Sequence, residues 1–475
     1  MIQLSQSAAL AALDLRVREE LETLEVPLRA WVPEHRDAHG APLTDVVVVG
    51  AGLSGLAIAF GLKRQGVARV TVIDAAEKGR EGPWVTSARM RTLRSPKTLT
   101  GPDLGVPSLT YRAWHEAVHG IESWRTLDKI DRVDWMDYLC WFRQAAGIEV
   151  TNGTRLVRIE PQPGYLSLVL ATPEGETRLG SRKVVLATGI EGAGGHNIPA
   201  GIELPRERWN HSGECFDAAA LKGKSVGVVG AAASSFDLAV AALEAGAASV
   251  TILARSAEMP RTEILDWSNY PGFLNHFADL DDARRYRFTR RMFEFRTPPT
   301  MEMYSRALSF ANCRLVLGAG SVKARLQGDT VLLSTAAGEF AVDHLLLGTG
   351  YAVDLARRPE LNGIVDSIAT WADRFTPPED EADADLLGYP YLGPAFEFTE
   401  KAPGTAPYLR DIHVFNNGAV PSLGPVCNGI TGLKSGVPKL VLGIARGLFV
   451  ADADWHFGSL DRYDKVHFSP PDLPL

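Results

Sequence analysis

This 475-residue sequence predicts an α/β fold in which one strand–helix–strand unit is inserted into another. Three observations carry that expectation. Gly50-Ala51-Gly52-Leu53-Ser54-Gly55 follows a run of valines and opens a helix of small residues. A second, similar turn, Gly230-Ala231-Ala232-Ala233-Ser234-Ser235, sits in the middle of the chain. An apolar strand running into Thr-Gly occurs twice, at Thr188-Gly189 and at Thr349-Gly350, on either side of that second turn. Each glycine-rich turn is of the Rossmann, dinucleotide-binding type. A pair of them in one chain implies two nucleotide cofactors, a nicotinamide passing electrons to a flavin.

The elements follow in order. Residues 6–24 have Leu10, Leu13, Leu21 and Leu24 in near-helical register and predict an amphipathic arm packed on the body, followed by a linker over 33–42. Asp45 to Val49 predicts a strand buried on both faces, as in parallel sheets. A helix over 53–65 stops at Gly66, and residues 70–74 complete the first unit. A helix over 135–146 follows, and the strand-like stretch 165–170 suggests a small antiparallel insertion. Lys183 to Gly189 is a strand ending in a glycine turn. Residues 225–255 repeat the unit, Asp343 to Tyr351 repeats the strand-into-Thr-Gly signal, Ile412 to Phe415 predicts a last strand and 430–448 a closing helix.

Composition excludes more than it selects. A formal charge of -8 argues against nucleic acid and anionic membrane as partners. No apolar stretch approaches the ~20 residues that cross a bilayer, and no signal-type segment opens the chain. Cys140, Cys215, Cys313 and Cys427 lack paired spacing, so neither a metal site nor a redox disulfide is expected, and a cytoplasmic location fits. The acidic loop 378–385 has no His or Cys beside it and is expected to be solvated.

In the first turn Gly50 permits the bend, Gly52 admits a pyrophosphate to the backbone and Gly55 lets the helix pack on the strand, with Ser54 at the helix start. Asp74 lies 19 residues beyond Gly55, where a carboxylate accepts ribose hydroxyls. In the second turn Gly230 persists, while Ala232 and Ser235 replace the other glycines and Ser234 lies between them. Arg255 ends the following strand where an NAD site has an acid; a cation there suits the 2′-phosphate of NADPH, with Arg261 nearby. Arg89, Arg91, Arg94 and Lys97 form a basic stretch that fits either an anion grip or a solvated loop. His211 fits either a nicotinamide contact or a structural cap, and Arg94, Lys97 and His211 are the candidates for catalysis. Trp114, Trp124, Trp135, Tyr138, Trp141 and Phe142 fit a substrate cavity or, more commonly, core. Tyr286, Phe288, Phe293 and Phe295, among arginines, predict a surface helix with cation–aromatic contacts.

The residues from Asp45 to about Leu448 resemble the two-dinucleotide flavin monooxygenases: flavin-containing, Baeyer–Villiger and N-hydroxylating. The resemblance rests on Gly50 to Gly55, on Gly79, Gly82 and Trp84 after Asp74, on Ala187-Thr188-Gly189, on the second turn and on Gly348-Thr349-Gly350-Tyr351. Of the family's interdomain fingerprint Trp209-Asn210-His211-Ser212 remains, with Ile198-Pro199 the only other echo, and Thr92 to Lys97 lacks the asparagine placed beside the flavin in flavin-containing monooxygenases. The resemblance implies FAD in the first turn and NADPH in the second. It implies reaction with O2 to a C4a-hydroperoxyflavin that oxygenates a small molecule by N-, S- or Baeyer–Villiger oxidation. Thr188, Gly189, Gly350, Asn428 and Gly429 join the cofactor set, the last two meeting the flavin's pyrimidine edge. The implied units are an arm and linker over 1–44, an FAD-binding domain over 45–200 with its return over 346–475, and an NADPH-binding domain over 201–345. A flavin reductase without oxygenation, a protein that binds FAD alone because the altered second turn has lost NADPH, and a nonenzymatic flavin sensor are the alternatives.

Overall fold

The computed structural model describes residues 2–427 and 429–468, with the side chains of 2–7 undescribed. Its first sheet has the strand Gly175–Gly189 as its spine. The first half of that strand pairs antiparallel with Tyr165–Thr172, which in turn pairs with Arg155–Gln162. Its second half pairs parallel with Thr44–Val49 and with Ile412–Asn416, and Val70–Ile73 lies beyond Thr44–Val49. One 15-residue strand therefore serves both an antiparallel hairpin layer and a buried parallel layer. Val46, Val47 and Val48 are wholly buried, as an unbroken valine run requires.

The helix Leu53–Arg64 covers that parallel layer, and the closing helix Ile430–Ala451 packs against it. Gly61 sets the approach of the two: a Cβ there would lie 2.9 Å from Val441 Cγ2. The N-terminal helix, Ile2–Thr23, buries Leu13, Val17 and Leu21, while Leu24 is 46% exposed. The apolar stripe thus runs through Val17 rather than ending at Leu24, because the helix stops at Thr23. Asp14 accepts from the Trp141 indole at 2.8 Å and Glu20 from the Ser108 hydroxyl at 2.7 Å, so the arm is bonded to the body.

The inserted unit has its own parallel sheet, ordered Cys313–Val316, Ser249–Leu253, Ser225–Val229, His344–Leu347, Trp209–His211. A second, mostly antiparallel sheet over residues 323–342 lies beside it. The outgoing and returning chains pair with one another, Gly194–His196 against Tyr351–Val353. That small ribbon is the crossing between the units.

Helices between residues 264 and 294 leave the inserted unit and lie on the return segment. The helix Asp282–Glu294 buries Arg285, Tyr286, Thr289 and Met292. Arg285 donates to Ser422 O at 2.9 Å and sits against the rings of Trp371 and Tyr391, at 5.2 and 5.4 Å. Tyr286 is fully buried, its hydroxyl bonded to Glu381 O and to the amide of Asp383. The expected surface helix is therefore half interior: Arg285 and Tyr286 pack on residues distant in sequence, and Phe288 stays 38% exposed.

Candidate functional site

The first glycine turn closes on its neighbours by contacts no side chain would survive. Gly50 has φ +102°, and a Cβ there would fall 2.4 Å from Ala187 O; a Cβ on Gly55 would fall 1.8 Å from Gly50 O. Gly52 differs. It caps the helix Leu53–Arg64 without a side-chain bond, and the nearest neighbour that a Cβ on it would meet is Gly82, at 3.8 Å. Two bare glycines thus face each other at the mouth of an uncapped helix N-terminus, where amides point outward and attract anions. Beside them the Trp84 indole N–H is buried and has no acceptor among the described residues. An unsatisfied buried donor costs about 1–3 kcal/mol, so this position suits a polar ligand atom. Open backbone, uncapped amides and orphaned donor together fit a dinucleotide.

Asp74 is partly engaged already. Its carboxylate accepts from the amides of Ala51 and Ala76, both at 2.7 Å, and so braces the turn. A carboxylate has about four acceptor positions, which leaves about two for ribose hydroxyls. Thr188 Oγ1 accepts from Asn416 Nδ2 at 3.1 Å, locking two adjacent strand ends, and Gly189 follows with φ +74°. Gly350 (φ +78°) lies at the crossing ribbon, where its carbonyl accepts from the Asn197 amide. Gly429 caps the closing helix without a side-chain bond and is exposed; Asn428 lies outside the described residues.

The second turn keeps the close approach by other means. Gly230 has φ +117°, and a Cβ on it would meet Ser235 Oγ at 2.4 Å and Gly348 O at 2.6 Å. Ser235 occupies the third-glycine place fully buried and donates to Gly348 O at 3.3 Å. The volume freed by Gly230 and Gly348 therefore admits a serine side chain, and the substitution is a repacking of the turn. Ala232 caps the helix Ala233–Glu244 without a side-chain bond, and Ser234 is exposed at its start. Arg255 and Arg261 are exposed, and neither has an ion-pair partner among the described residues.

The four cations of the 89–97 stretch do not converge. Arg89 donates to Glu214 O at 2.9 Å and lies 4.0 Å over the Phe216 ring. Arg91 pairs with Glu244 at 3.0 Å, and Arg306 shares that carboxylate. Lys97 donates to the carbonyls of Trp124 and Leu127, a helix end, and stacks on Trp124. Arg94 is exposed, and its charge acts on Asp237 of the helix Ala233–Glu244. Burial pushes the Asp237 carboxyl up to about 7 against the pull of Arg94. The stretch thus joins the two units, and Asp237 escapes sequence reasoning because nothing local pairs it with residue 94.

His211 is fully buried at the crossing, stacked 4.2 Å from His196 with Tyr351 at 5.6 Å. Burial, then the neighbouring His196, lowers its pKa to about 4, so the ring is neutral at physiological pH. Its Nδ1 accepts from the Gly213 amide at 3.1 Å, which assigns the proton to Nε2. The aromatic cluster is core: Tyr111 lies 5.4–6.3 Å from Trp114, Trp124, Trp135 and Tyr138, all buried. Cys140, Cys215, Cys313 and Cys427 carry free thiols.

Comparison with known proteins agrees with this geometry. Residues 44–268 match the pyridine nucleotide-disulphide oxidoreductase family model. A protein of Xanthomonas campestris pv. campestris named FAD-dependent urate hydroxylase is 41% identical over 466 residues, 97% of each chain. The ornithine N-hydroxylase of Kutzneria sp. 744 superposes with a TM-score of 0.67 at 18% identity, covering 86% of this chain and 100% of that one. L-lysine 6-monooxygenase from Pseudomonas syringae gives 0.62 at 18% identity, over 86% and 99%. With paired dinucleotide turns, an inserted nucleotide unit and a full-length relative, this chain belongs to the two-dinucleotide flavin monooxygenases, FAD-dependent enzymes that oxygenate small molecules.

Proposed function

We propose that this flavin monooxygenase hydroxylates urate. The observation that carries the reading is the 41% identity, maintained over 97% of both chains, to a relative named for that activity. The overall balance is urate + O2 + NADPH + H+ giving hydroxylated urate, NADP+ and water. FAD, when bound, supplies the passage of two electrons from NADPH to O2.

The chain's own residues bind and orient. Gly52 and Gly82 would admit the FAD pyrophosphate to the amides of the helix Leu53–Arg64, with Ser54 and Gly55 at its start, and the Trp84 N–H would find its acceptor there. Asp74 would hold the adenosine ribose with its free lone pairs. Thr188, Gly189 and Gly350 would border the cofactor at the strand ends, and Gly429 would present the amides of the closing helix to the flavin ring. On the other unit, Gly230, Ser234 and Ser235 would receive the NADPH pyrophosphate, and Arg255 its 2′-phosphate, assisted by Arg261. Neutral, buried His211 serves as a packing and hydrogen-bonding group at the crossing, and Arg94 and Lys97 position the loop between the units. Four free thiols support a reducing, cytoplasmic setting.

The test is urate consumption. With FAD-loaded protein and NADPH, the near-ultraviolet absorbance of urate disappears in proportion to NADPH oxidised. Urate-independent NADPH oxidation with the urate absorbance intact would remove urate as the substrate and return the choice to amines, thioethers and ketones.

A further inference from the structure

Away from the nucleotide turns, three side chains from two helices converge without a role in the function described above. His115 and His119 lie one turn apart on the helix Tyr111–His119, and Asp134 lies on the first turn of the helix Arg132–Ala145. One ligand atom from each lies within 4.8 Å of the others. His119 Nε2 is already 3.1 Å from Asp134 Oδ2, about the separation of two donors sharing a small metal ion. The two imidazoles are 4.6 Å apart, centre to centre. We propose that His115, His119 and Asp134 bind a divalent transition-metal ion of the zinc class.

The donor set argues for that class of ion. Two imidazoles and one carboxylate suit Zn2+, Co2+, Ni2+ or Cu2+, whereas Mg2+ and Ca2+ prefer oxygen throughout. Histidines at i and i+4 on one helix face are pre-spaced for a shared ion. The surroundings supply the supporting contacts such sites use. Tyr111 OH lies 3.2 Å from His115 Nδ1 and Ser123 Oγ 3.1 Å from Nε2, so either nitrogen can turn to a metal while the other stays oriented. Asp131 and Asp137 stand close enough to Asp134 to add negative potential. Half-exposed His119 and Asp134, with side-chain exposures of 33% and 31%, leave an entry path and room for a water as fourth ligand. The absence of a metal site expected from the sequence rested on the cysteine spacing and the 378–385 loop, and this group lies outside both.

Its position gives the ion a consequence. The segment leading into the Asp134 helix is bonded to the loop between the two units: Leu93 N donates to Ile130 O at 2.8 Å and Arg132 N to Arg91 O at 3.0 Å. Arg132 also donates to Trp84 O. A metal joining the two helices stiffens the support of the loop that carries Trp84 and Arg94.

The experiment uses tag-free, FAD-loaded full-length protein, stripped with a chelator and titrated with Zn2+ against a chromophoric competitor, then with Co2+ for its visible spectrum. The expected result is one Zn2+ per chain, intense four-coordinate Co2+ bands, and a weakening on the order of tenfold or more for both His119→Gln and Asp134→Asn. Glu160→Gln, on the strand Arg155–Gln162 and paired with Arg158 and Arg178, is the control and retains wild-type affinity. The flavin absorption and far-ultraviolet dichroism of each variant establish that it is folded. Failure to bind stoichiometric Zn2+, or equal affinity in folded His119→Gln or Asp134→Asn, overturns the site. Urate turnover is not part of the readout, so the result stands independently of the proposed substrate.

Discussion

At Gly52 the backbone leaves room for a methyl group, and at Gly55 it does not. Gly52→Ala therefore keeps the fold, with nothing closer than 3.8 Å to the new Cβ, but places that carbon where the cofactor is proposed to meet the amides. The expected outcome is a natively folded, colourless protein. Gly55→Ala, whose Cβ would lie 1.8 Å from a carbonyl oxygen, loses both fold and flavin. Circular dichroism read with flavin absorbance separates the two. Arg255→Ala removes the charged contact proposed for the 2′-phosphate, worth about 1.5–3 kcal/mol, so KM for NADPH is expected to rise roughly 10- to 100-fold while KM for NADH is unchanged. A parallel change for both nucleotides would remove that role from Arg255. Asp237 carries a pH signature. Its folded value of about 7 exceeds the 3.8 of a free Asp, so the folded state holds the proton more tightly and loses stability as pH rises from about 4 to about 7. Asp237→Asn cannot ionise and escapes that loss. Its Tm therefore gains on wild type as pH rises from about 4 to about 7, and a constant difference would contradict the assignment.

At the scale of elements, long-range ties hold the nucleotide units against each other and against the arm. Arg285 bonds to Ser422 O, Asp282 and Tyr391 while lying against two rings. Arg285→Met leaves a buried carbonyl without its donor and Asp282 without its cation, though still bonded to the Tyr391 hydroxyl, at a cost of about 2–4 kcal/mol, seen as a Tm lower by several degrees with FAD retained. Removal of residues 1–24 exposes the surface that Leu13, Val17 and Leu21 cover, each worth roughly 1.5–3 kcal/mol, and frees the Trp141 indole. The truncated protein is expected to melt earlier in the same assay. Neither tie is visible in local sequence. The arm's helix was legible from leucine spacing, but its docking surface at Ser108 and Trp141 is set by tertiary folding. The helix Asp282–Glu294 shows arginines and aromatics in any register, and only the partners at 371–391 and 422 decide that Arg285 and Tyr286 face inward.

For the whole molecule, the fold was largely legible because its signals are local and ordered. A valine run, three glycines and a second strand specify one unit. A repeat of that signal between two Thr-Gly strand ends specifies an insertion, and the ribbon of Gly194–His196 with Tyr351–Val353 is its physical crossing. Within the proposed site, the turn geometry was legible where backbone contacts decide it, at Gly50, Gly52, Gly55 and Gly230. It was not legible where charge pairs across units decide it. Arg89, Arg91, Arg94 and Lys97 are neighbours in sequence and have four different destinations in space. The aromatic cluster around Tyr111 resembles a cavity lining in composition and is core by burial.

The central claim, an NADPH-driven oxygenation of urate, is tested most directly with isotopically labelled O2. The FAD-loaded enzyme is mixed with urate and NADPH under the labelled gas, and the product is weighed by mass spectrometry against NADPH consumed. The account predicts one labelled oxygen atom in the hydroxylated product for each NADPH oxidised. Product without label, or NADPH oxidation in which all the oxygen leaves as hydrogen peroxide and urate is recovered intact, would contradict it.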